Sequence, residues 1–323
     1  MKSFTVLKDD SGKRLDRFMQ KVCPKLPETL LYKYIRLKRV KVNGARAKGD
    51  TRLAAGDTVE AFINDEFFGD DRPRYDFLSA SEKLNIVYED ENIIAADKPQ
   101  GLLSHPDKTE YGDTLIGRIK RYLYNKGEYD PEKAQSFTPA LANRIDRNTG
   151  GIVLAAKNAE ALKILCEKIK NREIDKRYLA VVHGVPKVKS ATLEGFLEKN
   201  EQKNKVFLSN KKTDSNLTVK TRYRVISSKG GLSLIEVELL TGRTHQIRAH
   251  MAAIGHPLLG DGKYGKLAAD KKAGFAKQAL YSYKVTFNFT TPAGALEYLK
   301  GKTLEVKDVY FLKQLFDLSL DEI

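Results

Sequence analysis

Tryptophan is absent from the 323 residues, methionine occurs three times and cysteine only twice. Cys23 and Cys166 stand alone, neither in a C-x-x-C pair, which argues against a zinc ribbon and a disulfide framework alike. So few thiols fit a reducing, intracellular setting. Long apolar runs are missing too. The first residues, Met1-Lys2-Ser3-Phe4-Thr5, open no apolar segment of signal-peptide length, and no later stretch approaches the roughly 18 apolar residues of a membrane span. The expected location is cytoplasmic, with no membrane partner. The five histidines are dispersed, and His245 with His250, at i and i+5, has the wrong offset for two metal ligands on one helical face. No metal is expected.

Negative charge is the scarcer sign. Asp and Glu number 42 against 57 Lys and Arg, a formal charge of +15 in a chain of ordinary apolar content, 41%. Residues 1–60 hold 15 basic against 7 acidic side chains, a net +8 in under a fifth of the chain. A concentration of this kind favours a polyanionic partner, of which nucleic acid is the commonest.

At this length about two domains are expected. Leu15, Phe18, Met19 and Val22 fall at helical spacing before Pro24, and a second helical stretch runs from Glu28 to Leu37 with Leu30, Leu31, Tyr34 and Ile35 on one face. Val40 and Val42 lead into the tight-turn pair Asn43-Gly44, and a strand follows over Thr58 to Ile63. Residues 1–64 thus read as a compact basic α+β module, with an aperiodic, acidic linker at 65–82 and the remainder, 83–323, as a second unit. There, strands are expected over 84–89, 93–97, 151–156, 177–183, 219–227, 232–240 and 280–288, with helices near 114–125 and 159–171. Strands outnumber helices, so the fold class is α+β with a mixed, mainly antiparallel sheet flanked by helices. The tail from Val306 to Ile323 reads as one amphipathic helix.

Two familiar glycine patterns carry nothing. Gly260-Asp261-Gly262-Lys263-Tyr264-Gly265 matches G-x-G-x-x-G but opens no strand-to-helix unit, and Gly301-Lys302-Thr303 has Leu296 where a phosphate loop needs its first glycine. Neither a nucleotide nor any other cofactor is expected. More informative is Asn143-Arg144-Ile145-Asp146-Arg147-Asn148-Thr149-Gly150-Gly151, a polar loop ahead of an apolar strand that could aim a carboxylate into a cleft. Taken alone, Asp146 also reads as a turn-forming residue. Thr241-Gly242-Arg243-Thr244-His245-Gln246-Ile247-Arg248 gathers donors where a helix begins, a place that favours anions, although a solvated helix start has the same composition.

In order and spacing these segments resemble the RluA-type pseudouridine synthases, in the branch with an N-terminal S4 RNA-binding domain. The resemblance is carried by Ile93 to Leu102 with its Asp97-Lys98-Pro99, by Asn143 to Asp146, by Lys176-Arg177-Tyr178-Leu179-Ala180, by Thr241 to Arg248 and by His256-Pro257-Leu258-Leu259-Gly260-Asp261. Arg14-Leu15-Asp16 and Val40 to Gly44 carry the S4 likeness. One departure is Asn143, where the family usually has His.

What the resemblance implies is an enzyme that isomerises uridine in RNA to pseudouridine without a cofactor. Ribosomal RNA of the large subunit is the expected substrate, with transfer RNA, or an assembly factor whose catalytic centre has lapsed, as alternatives. Asp146 would be the acting carboxylate, Arg243 its charge partner and Tyr178 the ring that meets the everted base. Arg144, His245, Gln246, Ile247 and Arg248 would contact substrate. The N-terminal face with Arg14, Lys33, Arg36, Lys38, Arg39 and Lys41 would grip phosphate. A monomer is expected.

Overall fold

The computed structural model describes residues 1–68, 75–107, 110–134, 136–200, 205–209, 211–214, 216–265 and 267–323. Its first unit comprises β1 (Lys2–Thr5), α1 (Leu15–Val22), α2 (Glu28–Arg36), β2 (Val40–Val42), β3 (Ala45–Arg46) and β4 (Thr58–Ala61). The strands form an antiparallel sheet in the order β1-β4-β2-β3. Phe18 and Met19 of α1, and Leu31 and Ile35 of α2, close a core of their own with Val40 and Val59. Each such side chain contributes about 1.5–3 kcal/mol by leaving water. Asn43 and Gly44, both at positive φ, turn the chain between β2 and β3 as expected.

The second unit is one mixed sheet of 11 strands. It begins with β5 (Asn85–Glu89) and β6 (Ile93–Lys98), passes through α3 (Leu115–Asn125), and continues with β7 (Ala140–Leu141), β8 (Gly150–Ala156), α4 (Ala159–Lys170) and β9 (Ile174–His183). A long hairpin of β10 (Ser190–Asn200) and β11 (Lys205–Ser209) follows, then β12 (Leu217–Lys229), β13 (Leu232–Leu239), α5 (Gln246–Ala253), α6 (Leu267–Lys272), β14 (Leu280–Phe287), β15 (Thr303–Glu305) and α7 (Tyr310–Phe316). The main path runs β11-β10-β12-β13-β9-β14-β8-β6-β5, with β15 on β14 and β7 on β8. Among the described strands only β14 with β8 pairs in parallel, so the expected mixed, mainly antiparallel sheet is what forms.

Residues alternate across β8. Ile152 and Leu154 face a core shared with Leu165 of α4, Phe287 and Phe311, while Val153 and Ala155 face Leu115, Ile119 and Leu123 of α3. A strand apolar on both faces is an interior strand of the sheet, and the loop before it is therefore anchored on the core.

Two expectations need correction, and one element was not expected at all. The tail is not one helix: after Val306 the chain forms α7 alone, which stops where Asp317 turns left-handed at φ 57°, and a single 3-10 turn follows at Leu320–Glu322. Residues 65–82, expected as a featureless linker, contain 3-10 turns at Asp65–Phe68 and Asp76–Ser79, and Phe77 is buried against Tyr124 and Tyr129; positions 69–74 of that stretch lie outside the described residues. The β10–β11 hairpin gave no sequence signal, because Glu194, Glu198 and Lys205 dilute its apolar alternation.

The two units touch where the Asp9 carboxylate accepts a 3.2 Å hydrogen bond from Ala159 N–H at the start of α4, and where Lys13 and Asp10 both bond Ser136. No helix among the described residues is long and apolar enough to cross a membrane.

Candidate active site

A cleft of about 620 Å³ opens between the loop before β8, the middle of β9 and the start of α5. Asp146, Tyr178, His245 and Ile247 all line it, as do Arg144 and Arg243 at its exposed rim.

The loop that carries Asp146 is clamped from beneath. Lys98, completely buried at the end of β6, donates to the carbonyls of Pro99 (3.0 Å), Leu102 (2.7 Å) and Arg147 (3.0 Å). Three acceptors around one nitrogen match the three N–H groups of an ammonium. Burial pushes this group down to about 7, and the negative charge of Asp146 opposes the shift. Gly101 and Arg147 exchange two more bonds, N–H to carbonyl at 2.8 Å and guanidinium to carbonyl at 3.0 Å, and Ser104 donates to Ile145 O at 3.0 Å.

The two glycines after the loop are required by contact. A Cβ on Gly150 would lie 2.4 Å from the Tyr281 ring, and one on Gly151, at φ 109°, would lie 2.2 Å from Ser282 O. Only a backbone without side chains can approach β14 this closely in parallel register. Asn143 has a structural task, since its side-chain oxygen accepts from Leu154 N–H at 2.9 Å and ties the loop to β8. The residue that departs from the family habit thus holds the loop.

Asp146 reaches the cleft with its side chain 28% exposed, and its Oδ2 accepts a 2.8 Å bond from the Arg248 guanidinium. The expected partner, Arg243, is corrected: it is exposed, and among the described residues its backbone N–H rather than its guanidinium is engaged, by Gln246 Oε1 at 3.1 Å. The reason lies in where α5 starts. Its first residue is Gln246, so Arg248 faces inward from the first turn while Arg243 precedes the helix. Arg248 is only 5% exposed and is fixed by a two-pronged pair with buried Asp261, at 2.7 and 2.9 Å. Asp261 also accepts from the backbone N–H groups of Lys263 and Tyr264, at 2.8 and 3.1 Å. Despite burial, these bonds hold the Asp261 carboxyl below its usual range. A guanidinium locked in this way is preorganised for a second carboxylate.

His245 sits 3.7 Å from the same Asp146 oxygen, at φ 55°, with Nδ1 3.2 Å from the Tyr264 hydroxyl. Burial lowers its imidazole to about 4, so it is neutral near pH 7. Tyr264 also bonds both backbone groups of Val206 on β11, accepting at 3.0 Å and donating at 3.2 Å, which ties the outer hairpin to the cleft. Tyr178 is 5% exposed. Burial pushes its phenol up to about 12 against the Ser282 hydroxyl, with the Asp146 charge adding to the rise. It is protonated at neutral pH.

Of the remaining expected substrate contacts, Arg144 stays exposed and Ile247 is buried on the wall with Leu280. Gln246 is committed elsewhere. It accepts from Thr241 at 2.7 Å and donates to Lys220 O and Thr221, each at 2.9 Å, so it braces the turn. In the first unit Lys33, Arg36, Lys38 and Arg39 are exposed, Lys41 is half-buried beside Phe62, and Arg14 is held by Asp16 at 2.6 Å. Sequence reasoning missed the roles of Lys98, Asp261 and Tyr264, although the first two lie inside the quoted motifs. No cluster of three metal-ligating side chains occurs among the described residues.

Comparison with known proteins agrees with this geometry. A sequence model of the RNA pseudouridylate synthase family matches residues 92–253, which include Asp146, Tyr178 and Arg248. An uncharacterized RNA pseudouridine synthase of Mycoplasma genitalium is 32% identical over 295 residues, 88% of each chain. Ribosomal large subunit pseudouridine synthase C of Haemophilus ducreyi is 30% identical over 295 residues, 88% of this chain and 87% of its own. The solved structure of human RNA pseudouridylate synthase domain containing 4 shares the fold, with a TM-score of 0.56 at 21% identity over 72% of this chain and 91% of its own. The chain belongs to the RNA pseudouridylate synthase family, in its RluA-type branch, and is an enzyme that isomerises uridine in RNA.

Proposed function

We propose that the substrate is large-subunit ribosomal RNA and that Asp146 performs the chemistry with no cofactor. The observation that carries this reading is a cleft carboxylate gripped by the buried Arg248, with Tyr178 and Ile247 as its apolar walls. The reaction breaks the bond from N1 to the ribose, turns the base and joins it through C5. N1 gains the proton that C5 loses, so the product has the composition of the substrate and no redox partner is needed. Asp146 attacks the sugar, or stabilises its cation and takes a ribose proton. The target base must leave its stack to reach this depth, and in this reading Arg144, which lines the rim, fills the gap. Tyr178, a neutral phenol, offers the base a stacking ring and a donor. To take the C5 proton it must pass on its own.

Residues 1–64 form, in this reading, an S4-like RNA-binding domain, with 65–82 as linker and 83–323 as the catalytic domain of a cytoplasmic monomer. Exposed Lys33, Arg36, Lys38 and Arg39 support this, and Arg14 has a lesser part because Asp16 already neutralises it. The ribosomal substrate is supported by the name of the Haemophilus ducreyi relative.

Pseudouridine should be mapped in total RNA from cells lacking the gene, with rescue by wild-type protein and by Asp146→Asn. Loss of marks in large-subunit RNA, restored only by wild type, is the expected result. Marks lost from transfer RNA would reassign the substrate, and restoration by the Asn variant would refute the mechanism.

A further inference from the structure

Three cations on the cleft wall have no task in that chemistry. Arg172, Lys176 and Arg243 line the same hollow as Asp146 and Tyr178. None of the three pairs with a carboxylate among the described residues, whereas Arg248 holds two. We propose that Arg172, Lys176 and Arg243 form a phosphate subsite that takes the RNA backbone beside the everted nucleotide.

Backbone geometry is the first support. α4 ends with Glu173 N–H bonded to Lys168 O at 2.9 Å, a closure that puts Arg172 in the left-handed region at φ 62°. Glycine is the usual occupant of that position, and a side chain there costs roughly 1 kcal/mol. His245 is also left-handed and also faces the cleft. Unfavourable backbone retained at two places around one hollow points to side chains kept for what they meet there.

Position is the second support. Lys176 is two residues from Tyr178 on β9, so both lie on one face, about 7 Å apart along the strand. That is the scale of a single nucleotide. The turn carrying Arg243 runs beside Arg172: a Cβ on Gly242 would stand in ordinary contact with its guanidinium, at 3.8 Å. Burial, then the Arg172 charge, pushes the Lys176 ammonium down to about 8, and Arg243 adds to the lowering of Arg172. Three crowded cations without a counter-charge are relieved by an anion. Two guanidinium forks suit the paired oxygens of a phosphodiester.

This inference rests on RNA entering the cleft, so its test begins with wild-type enzyme and a transcript of large-subunit ribosomal RNA. If the wild type makes no pseudouridine on that transcript and binds it no better than an unrelated RNA, the ribosomal reading falls, and the subsite falls with it. Otherwise Arg172→Gly, Lys176→Gln and Arg243→Gln should each raise KM about tenfold, the low end for a charge-assisted bond, with kcat within about twofold. Each should also flatten the dependence of log affinity on log salt by about one counterion, while Lys313→Gln, on the exposed side of α7, leaves it unchanged. Arg172→Gly has a second readout, because glycine accepts φ 62° freely and the melting temperature should not fall. A lower melting temperature with unaltered KM and salt slope would reduce Arg172 to a structural residue and overturn the proposal, as would a salt slope equally flattened by Lys313→Gln.

Discussion

Arg248 is the residue on which the centre turns, because it joins Asp146 to a carboxylate with no access to water. Removing it by Arg248→Met strands Asp261 in the interior. A folding loss of about 3–5 kcal/mol is expected from an uncompensated buried charge, read by denaturant unfolding. Asp261→Asn is milder. It frees the guanidinium to rotate, so kcat should drop about a hundredfold with little change in KM, the mark of lost preorganisation. A second residue-scale prediction concerns His250, buried with Nδ1 2.7 Å from the Thr221 hydroxyl and held down to about 4 by burial. In the unfolded chain histidine titrates near 6.5, so below that value the unfolded state binds a proton that the folded state refuses. Stability is therefore complete above about pH 6.5 and declines as pH falls toward 4. Melting curves should show this limb, and His250→Gln should make it shallower, with His245, also held at about 4, still contributing. At this scale the sequence identified Asp146 only through resemblance, and it misassigned the partner. Arg243 and Arg248 lie five positions apart in one donor-rich string, and which one points inward depends on the first residue of α5, which no local pattern marks.

Elements were easier to read than residues wherever apolar spacing was clean. α1, α3, α4 and the strands β5, β6, β8 and β9 lie where periodicity puts them, because each has one or two buried faces. The hairpin β10–β11 escaped notice since it closes the sheet edge: Glu194 and Glu198 face water, and beyond the β10–β12 ladder its outer strand is tied down by the Tyr264 hydroxyl. Tyr264→Phe should keep the fold yet loosen that edge, which hydrogen exchange at Val206 N–H would report as loss of protection. The Gly150-Gly151 pair was legible as a turn signal but not as a contact. Gly151→Ala forces a methyl group onto the Ser282 carbonyl, and a loss of at least about 2 kcal/mol is expected, with Asp146 displaced and activity reduced well beyond the fall in folded fraction. Calorimetry together with turnover on the same preparation separates the two effects.

Across the whole molecule the charge asymmetry was the plainest signal, and it maps onto a unit with its own sheet and core. Deleting residues 1–64 should therefore leave a folded remainder that retains Asp146 chemistry on a short RNA but modifies natural RNA poorly. Full activity of the truncated enzyme on natural RNA would defeat that division of labour. The join between β8 and β14 has a temporal meaning as well. Gly150 and Gly151 meet Tyr281 and Ser282 across the sheet, so a chain emerging from the ribosome holds its basic head ready long before the catalytic loop, already clamped by Lys98, gains its support on the far side. During that interval a growing copy can cling to RNA but cannot alter it, and competence arrives in a single late event when the last central strand slots into place.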